Sequence, residues 1–299
     1  MSSGADLEDA ERELIACKTR PSKELLQRYM RVARDTRIRD SEPVAKYGSM
    51  LLKHYKTQLG EEELWVVHEQ TAIAMLDAGA VSAAQPLIKA VAVRFPNAQR
   101  TNRLQGMYFE AGGDLDTAVG IYKDALTRDP TAEMFHKRLV AVEKTRGNAA
   151  AAVDALRKYL ETFSADREGW EELAELYVEM GMLKQALFCY EELIMMSPTA
   201  SYLVRYADVL YTLGQYRMAR SYYAKAIEMS SGRSARALFG VLQCYANITE
   251  KVALQDSRTR AQIELPDLTA DVLISMYRKH APDKLPLLEP MLKAQGLLQ

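Results

Sequence analysis

The sequence predicts an all-α chain built from stacked helix pairs, and three observations carry that prediction. Helix formers dominate: Gly (15) and Pro (10) are scarce in 299 residues, while Ala, Leu, Glu, Lys, Arg and Met are plentiful. Three prolines, Pro96, Pro130 and Pro198, stand 34 and then twice 34 residues apart. Small and larger apolar residues recur in phase with them, Ala84, Ala118, Ala152 and Ala186 at one slot, and Ile88, Tyr122, Leu156 and Tyr190 at the next.

A period of about 34 residues with the pattern W-x2-L-G-x2-Y…A-x3-F…P belongs to the tetratricopeptide helix-turn-helix. The fullest unit is Trp170-x2-Leu173-Ala174-x2-Tyr177, followed by Gly181, Ala186, Tyr190 and Pro198. The unit ending at Pro130 carries Gly106, Phe109, Ala118, Tyr122 and Ala125. The unit ending at Pro96 keeps Ala84 and Ile88, and the next but one has Ala152, Leu156 and Tyr159, with Ser164 in the proline slot. After Pro198 come Tyr206, Ala207, Leu210, Gly214, Ala219, Tyr223 and Ala226, one residue out of strict phase; Phe239-Gly240 opens a sixth, degenerate unit. Small residues let two helices approach closely, aromatics fill the space between pairs, and the proline forces the chain into the next unit. Gly181 and Gly214 stand where a first helix should stop and supply a left-handed C-cap.

The remaining segments do not follow the period. Residues 1–60 read as a helical cap with helices at about 7–18, 22–34 and 41–59. The repeats fill 61–250 as five to six pairs. Residues 251–299 form a second cap, with Pro266-Asp267 starting a helix to about 279 and Pro282-Asp283 starting the last one. Ends that differ from the middle are expected, because terminal units close an apolar stack. No long Gly/Ser linker interrupts the chain, so the expected architecture is one superhelical solenoid capped at both ends. In this register Trp170 should be buried, and Trp170→Ala should cost ~3–5 kcal/mol.

Composition narrows the functional classes. A net charge of −1 provides no field to attract nucleic acid. Cys17, Cys189 and Cys244 are odd in number and far apart, which argues against a disulfide framework or zinc site and for a reducing compartment, with each cysteine a small buried hydrophobe. The N-terminal run has neither a basic nor an apolar region of signal-peptide type, and no window reaches the ~18–20 apolar residues of a membrane span. His54, His68, His136 and His280 lack a His or Cys partner at metal spacing, and no phosphate-binding or nucleophile motif occurs. No catalytic, cofactor or metal site is expected.

Charge patterning points to binding instead. The first helix of each pair should line the concave surface. Its outward positions include Arg100, Arg103, Lys137, Arg138 and Lys144, then Glu168, Glu171, Glu175 and Glu179. The groove should therefore be basic, then acidic, and suit an extended partner segment. A solvated helix face fits the same residues, and both readings stand at this point. A second basic stretch, from Lys18 through Arg20, Lys23, Arg28, Arg31, Arg34, Arg37 and Arg39, is interspersed with Glu13, Glu24, Asp35 and Asp40, which favours a solvated face over lipid or RNA contact.

Some runs go beyond a generic repeat: Arg94-Phe95-Pro96-Asn97, Arg103-Leu104-x-Gly106-Met107-x-Phe109-Glu110-Ala111, Asp129-Pro130-Thr131, Phe188-Cys189-x-Glu191-Glu192-Leu193-x-Met195 and Arg236-Ala237-Leu238-Phe239-Gly240. In this order they resemble the subunit 2 family of the endoplasmic reticulum membrane protein complex, over roughly 60–245. The resemblance implies a cytosolic scaffold, peripheral at the endoplasmic reticulum membrane, in an insertase for tail-anchored and multi-spanning proteins. It implies as partners the paired cytosolic subunit 8 or 9 and the cytosolic parts of membrane subunits such as 3 and 5. An alternative is a free adaptor or co-chaperone that binds extended peptides. The carboxylate clamp of such co-chaperones needs Asn where this chain has Met107, Ala141, Glu175 or Asp208.

Overall fold

The computed structural model describes residues 4–17, 20–36, 38–252 and 260–294, with side chains described outside 249–267. All regular structure among these residues is helical. The order is α1 (Gly4–Ala16), α2 (Lys23–Thr36), α3 (Ser41–Tyr55), α4 (Glu61–Asp77), α5 (Val81–Arg94), α6 (Gln99–Ala111), α7 (Leu115–Arg128) and α8 (Glu133–Thr145). Then follow α9 (Ala149–Thr162), α10 (Arg167–Glu179), α11 (Leu183–Met196), α12 (Ala200–Thr212), α13 (Tyr216–Met229), α14 (Ala235–Val252), α15 (Arg260–His280) and α16 (Leu285–Ala294). Short 3-10 turns at Lys56–Gln58 and Pro282–Lys284 precede α4 and α16.

Two boundaries differ from the sequence reading. The helix α3 stops at Tyr55 and tightens into its 3-10 turn, where the reading carried it to about 59. The helix α15 starts at Arg260, ahead of Pro266, which the reading took as its first turn. A proline removes one N–H from a helix but does not forbid backbone on both sides. The expected end of the first helix at 18 falls outside the described residues.

The chain forms two compact units, residues 1–148 and 149–299. The first holds α1–α8 and the second α9–α16. This division cuts across the segments 1–60, 61–250 and 251–299 drawn from repeat phase. The non-repeat helices do not stand apart: α3 packs on α4, and α15 packs on α14. Leu7, Leu26, Tyr29, Leu51 and Val67 share one core, joining α1–α3 to the first repeat helix. Leu238 and Leu242 of α14 share another with Leu273, Leu288 and Leu292.

Within each unit the repeat rests on a recurring turn. Gly79, Gly113, Gly147, Gly181 and Gly214 all have φ between 70° and 82°, and each follows the end of a first helix. Four of these five stand 34 apart and the last 33, a cleaner phase than the prolines show. At each turn the next N–H reaches back to a carbonyl of the helix, as in Ala80 N to Met75 O at 2.8 Å, Asp114 N to Phe109 O at 2.9 Å and Met182 N to Tyr177 O at 2.8 Å. That bond satisfies a carbonyl the helix end would otherwise orphan, and it needs a left-handed residue, hence Gly. Pro96, Pro130 and Pro198 fall two residues beyond the second helices α5, α7 and α11.

The small residues sit where close packing requires them. Ala84, Ala118, Ala152, Ala174, Ala186, Ala207 and Ala219 are fully buried. A Cβ on Gly106 would come within 2.1 Å of the Tyr122 ring. One on Gly240 would come within 2.5 Å of the Tyr223 ring.

Trp170 is a correction. The ring is only half-buried, packs edge-on against Phe188 at 6.0 Å, and donates from Nε1 to the Ser164 carbonyl at 2.9 Å. Leu173, Ala174 and Tyr177 on the same helix take the buried positions. With part of the ring in solvent, Trp170→Ala should cost ~2–3 kcal/mol in a denaturant melt, at or below the low end of the range for a core tryptophan.

Candidate functional site

The first helices of the pairs carry the charged positions singled out in the sequence, so the candidate site is built from them. In the first unit these helices are α4, α6 and α8. Arg103 donates to Glu69, and Arg100 lies 3.9 Å from the same carboxylate. Arg138 donates to Glu110 at 3.3 Å. Lys137 pairs with Glu133 one turn earlier, at 2.7 Å, and Lys144 is exposed near the end of α8. The expected basic stretch is therefore not a bare cationic patch. Glu69 and Glu110, which the sequence reading left out, neutralise it from the preceding first helix.

In the second unit the first helices are α10, α12 and α14. They line an open groove of about 1110 Å³. Glu175 and Glu179 line it as anticipated, joined by Val204, Arg205, Asp208 and Arg236. Glu168 and Glu171 lie outside it: Glu168 is exposed in the first turn of α10, and Glu171 accepts from the Tyr202 hydroxyl. Two of the four glutamates singled out in the sequence line this groove, and arginines share it.

A recurring triad organises these faces. In the first unit Glu110 accepts from the Tyr122 hydroxyl, on the second helix of its own pair, and from Arg138 on the next first helix. In the second unit Asp208 does the same with Tyr223 at 2.5 Å and Arg236 at 2.7 Å. Also in the second unit, Arg205 donates to Glu175 at 2.6 Å and bonds the Tyr190 hydroxyl. Each triad ties one helix pair to the next through a carboxylate, a buried phenol and an arginine. A buried tyrosine needs a partner for its hydroxyl, and a charged acceptor is a strong one. The N-terminal basic stretch behaves likewise: Arg28 pairs with Glu13, Arg34 with Glu63, and Arg39 with Asp77 through two bonds of 2.7 Å. Arg37 and Lys18 lie outside the described residues.

Burial, with the adjacent carboxylate second, holds the Tyr122, Tyr206 and Tyr223 phenols well above the ordinary value of 10. Burial does the same to Tyr29, helped by Asp40. The unfolded chain ionises these groups from pH 10 upward while the folded chain keeps their protons. Their contribution is therefore complete below pH 10 and lost as pH rises above it. Urea titrations from pH 8 to 11.5 should show a flat unfolding free energy up to about pH 9.5, then a decline of at most ~1.4 kcal/mol per pH unit for each phenol.

Burial also perturbs titratable groups outside these triads. His68 is buried against Trp65 with Nδ1 2.8 Å from the Leu64 carbonyl, and burial lowers its pKa. Burial pushes the Cys189 thiol up to about 12 and the Cys244 thiol to about 11, far from a reactive thiolate. Cys17 is exposed, contrary to the expected buried role. Among the described residues no group of three His, Cys, Asp or Glu side chains could hold a metal ion.

Comparison with known proteins places this architecture. The model of the EMC2 TPR-like repeat domain matches residues 87–225. ER membrane protein complex subunit 2 of Xenopus tropicalis is 37% identical over 216 residues, covering 71% of this chain and 72% of that protein. ER membrane protein complex subunit 2-B of Xenopus laevis is 36% identical over 223 residues, covering 73% and 74%. The chain belongs to the ER membrane protein complex subunit 2 family. Among solved structures, the C-terminal part of a TPR repeat-containing protein from Cytophaga hutchinsonii aligns with a TM-score of 0.58 at 14% identity, over 87% of this chain and 99% of that one. That likeness shows the fold, an all-α tetratricopeptide-repeat architecture.

The family match of 87–225 holds the Glu110 and Glu175 triads complete, and it ends before Arg236 closes the third. Sequence reasoning named Arg138 and Glu175 but missed Tyr190, Arg205, Asp208 and Arg236 as partners. A signal is present in the spacing: Glu110, Glu175 and Asp208, like Arg138, Arg205 and Arg236, stand close to two periods and then one period apart, in step with Tyr122, Tyr190 and Tyr223.

Proposed function

We propose that this chain is a non-enzymatic scaffold subunit of the endoplasmic reticulum membrane protein complex, held at the cytoplasmic face of the membrane. There it organises an insertase for tail-anchored and multi-spanning proteins. The partners are the cytosolic subunit 8 or 9 and the cytosolic parts of membrane subunits such as 3 and 5. The family relationship to the Xenopus subunits carries this reading. The groove of the second unit supports it, because it presents Glu175, Glu179, Asp208, Arg205 and Arg236 along three successive first helices. An extended segment laid there meets alternating charge, which selects register and partner more than it adds affinity. Among the described residues no helix is long and apolar enough to cross a membrane, so attachment through partners suits the reading.

Depletion tests the proposal. Loss of a central scaffold leaves its partners unassembled and exposed to degradation, so quantitative mass spectrometry of depleted cells should show the other subunits of the complex falling together. Unchanged abundance of every other subunit would remove the scaffold role.

A further inference from the structure

A second surface lies over α9, α10 and α11 of the second unit, away from the groove residues Glu175 and Glu179. The helix α10 packs between α9 and α11, and above it opens an apolar cavity of about 740 Å³. Trp170, Leu173 and Tyr177 form its floor at positions i, i+3 and i+7 of α10. Leu160 on one wall and Phe188 on the other face it. Phe188 is 53% exposed, and the adjoining stretch of α11 leaves Met195 78% exposed. Phe188 and Trp170 lie in contact with Leu173 and Tyr177, so the exposed apolar area here is contiguous, the kind that marks an interaction surface.

The rim has a charge pattern. Arg157 stands on the α9 wall and Lys184 on the α11 wall, both exposed, and neither has an ion-pair partner among the described residues. Arg103 and Arg138 of the first-helix faces are paired, whereas these two cations, on the second helices α9 and α11, are not. Glu161 is the one acid on the rim. The floor spans two helical turns, about 10 Å, which matches the i, i+3, i+7 anchors of a docked helix.

From this geometry we infer that the cleft over Trp170, Leu173 and Tyr177 docks an amphipathic helix of another protein, apolar on its seated face and acidic along both flanks. Its apolar anchors fill the cavity between Leu160 and Phe188. Its carboxylates meet Arg157 and Lys184 from opposite sides. An extended segment would leave its backbone groups unpaired over this apolar floor, whereas a helix satisfies them internally. The site is separate from the first-helix groove, and it stands whether or not the scaffold reading holds.

The chain has two tryptophans, Trp65 and Trp170, so the full-length Trp65→Phe protein reports on the cleft through Trp170 emission. Two helical peptides with the same Leu-based apolar face are titrated, one with Glu on its flanks and one with Lys. The acidic peptide should shift Trp170 emission to the blue and bind about tenfold more tightly than the basic one, the difference two exposed ion pairs supply. Arg157→Glu with Lys184→Glu should abolish or invert that preference, and Phe188→Ala should weaken both peptides. The unfolding midpoint of each variant, read by circular dichroism, shows that the fold is intact. Equal affinity of the two peptides, or a preference that survives the double charge reversal, would overturn the proposal. So would an unchanged Trp170 emission with both peptides.

Discussion

Gly106→Ala is expected to destabilise the chain by ~2–3 kcal/mol, far more than a surface methyl would. A methyl at this position lies 2.1 Å from Cε1 of Tyr122 and 2.3 Å from Cζ, inside any tolerable contact. The ring cannot retreat easily: it is fully buried, packs 5.8 Å from Phe135, and is tethered by its hydroxyl to Glu110. Over-packing of this kind typically costs ~1–3 kcal/mol, and the tether puts this site at the upper end. The cause is separable from helix propensity, since Ala is the better helix former. Tyr122→Leu removes the obstructing ring atoms and should itself cost ~2–3 kcal/mol. The double variant should then fall at least ~1 kcal/mol short of the sum. Strict additivity in urea unfolding would mean that the close approach of α6 and α7 is not what selects glycine.

Asp208→Ala should cost ~2–3 kcal/mol. The carboxylate accepts from the buried Tyr223 hydroxyl at 2.5 Å and from Arg236 at 2.7 Å. Removing it leaves a phenol that is only 2% exposed without an acceptor, and an unsatisfied buried donor carries its full desolvation penalty. The Arg236 bond contributes less, because that side chain is 73% exposed and solvent screens it. Two companions divide the effect. Arg236→Ala should cost below ~1 kcal/mol. Tyr223→Phe combined with Asp208→Ala should recover part of the loss of Asp208→Ala alone, because the orphaned hydroxyl is gone. A double variant worse than Asp208→Ala would show that the phenol, rather than its missing partner, matters there.

The fold was legible because its physics is local and periodic. The Ala slots, the aromatics and the helix-ending prolines all follow from one helix pair, and each repetition restates them. The positive-φ glycines are only partly legible: Gly181 and Gly214 stand out as caps in the sequence, while Gly79 and Gly147 hold the same conformation in units with weaker consensus. Trp170 shows where pattern misleads, since a consensus residue can lie at the edge of its pair and leave the buried slots to Leu173 and Tyr177. The candidate site was legible in residue type but not in pairing. Arg103 and Arg138 point along the expected face, yet their charges are absorbed by Glu69 and Glu110 from the preceding helix, some 30 residues away in sequence. Which charge meets which depends on how adjacent pairs are rotated, and no single repeat encodes that. The cleft at Phe188 escaped for a related reason: an apolar residue in a repeat reads as core until its exposure is known.

The scaffold role proposed for this chain is tested most directly by its company in the membrane. The tagged chain would be purified from detergent-solubilised endoplasmic reticulum, and its partners quantified by mass spectrometry. A scaffold should bring down a fixed set of membrane and cytosolic subunits of the complex, recovered in near-equal amounts with the chain. Recovery of cytosolic chaperones alone, with the chain absent from the membrane fraction, would contradict it and leave a free peptide-binding adaptor in its place.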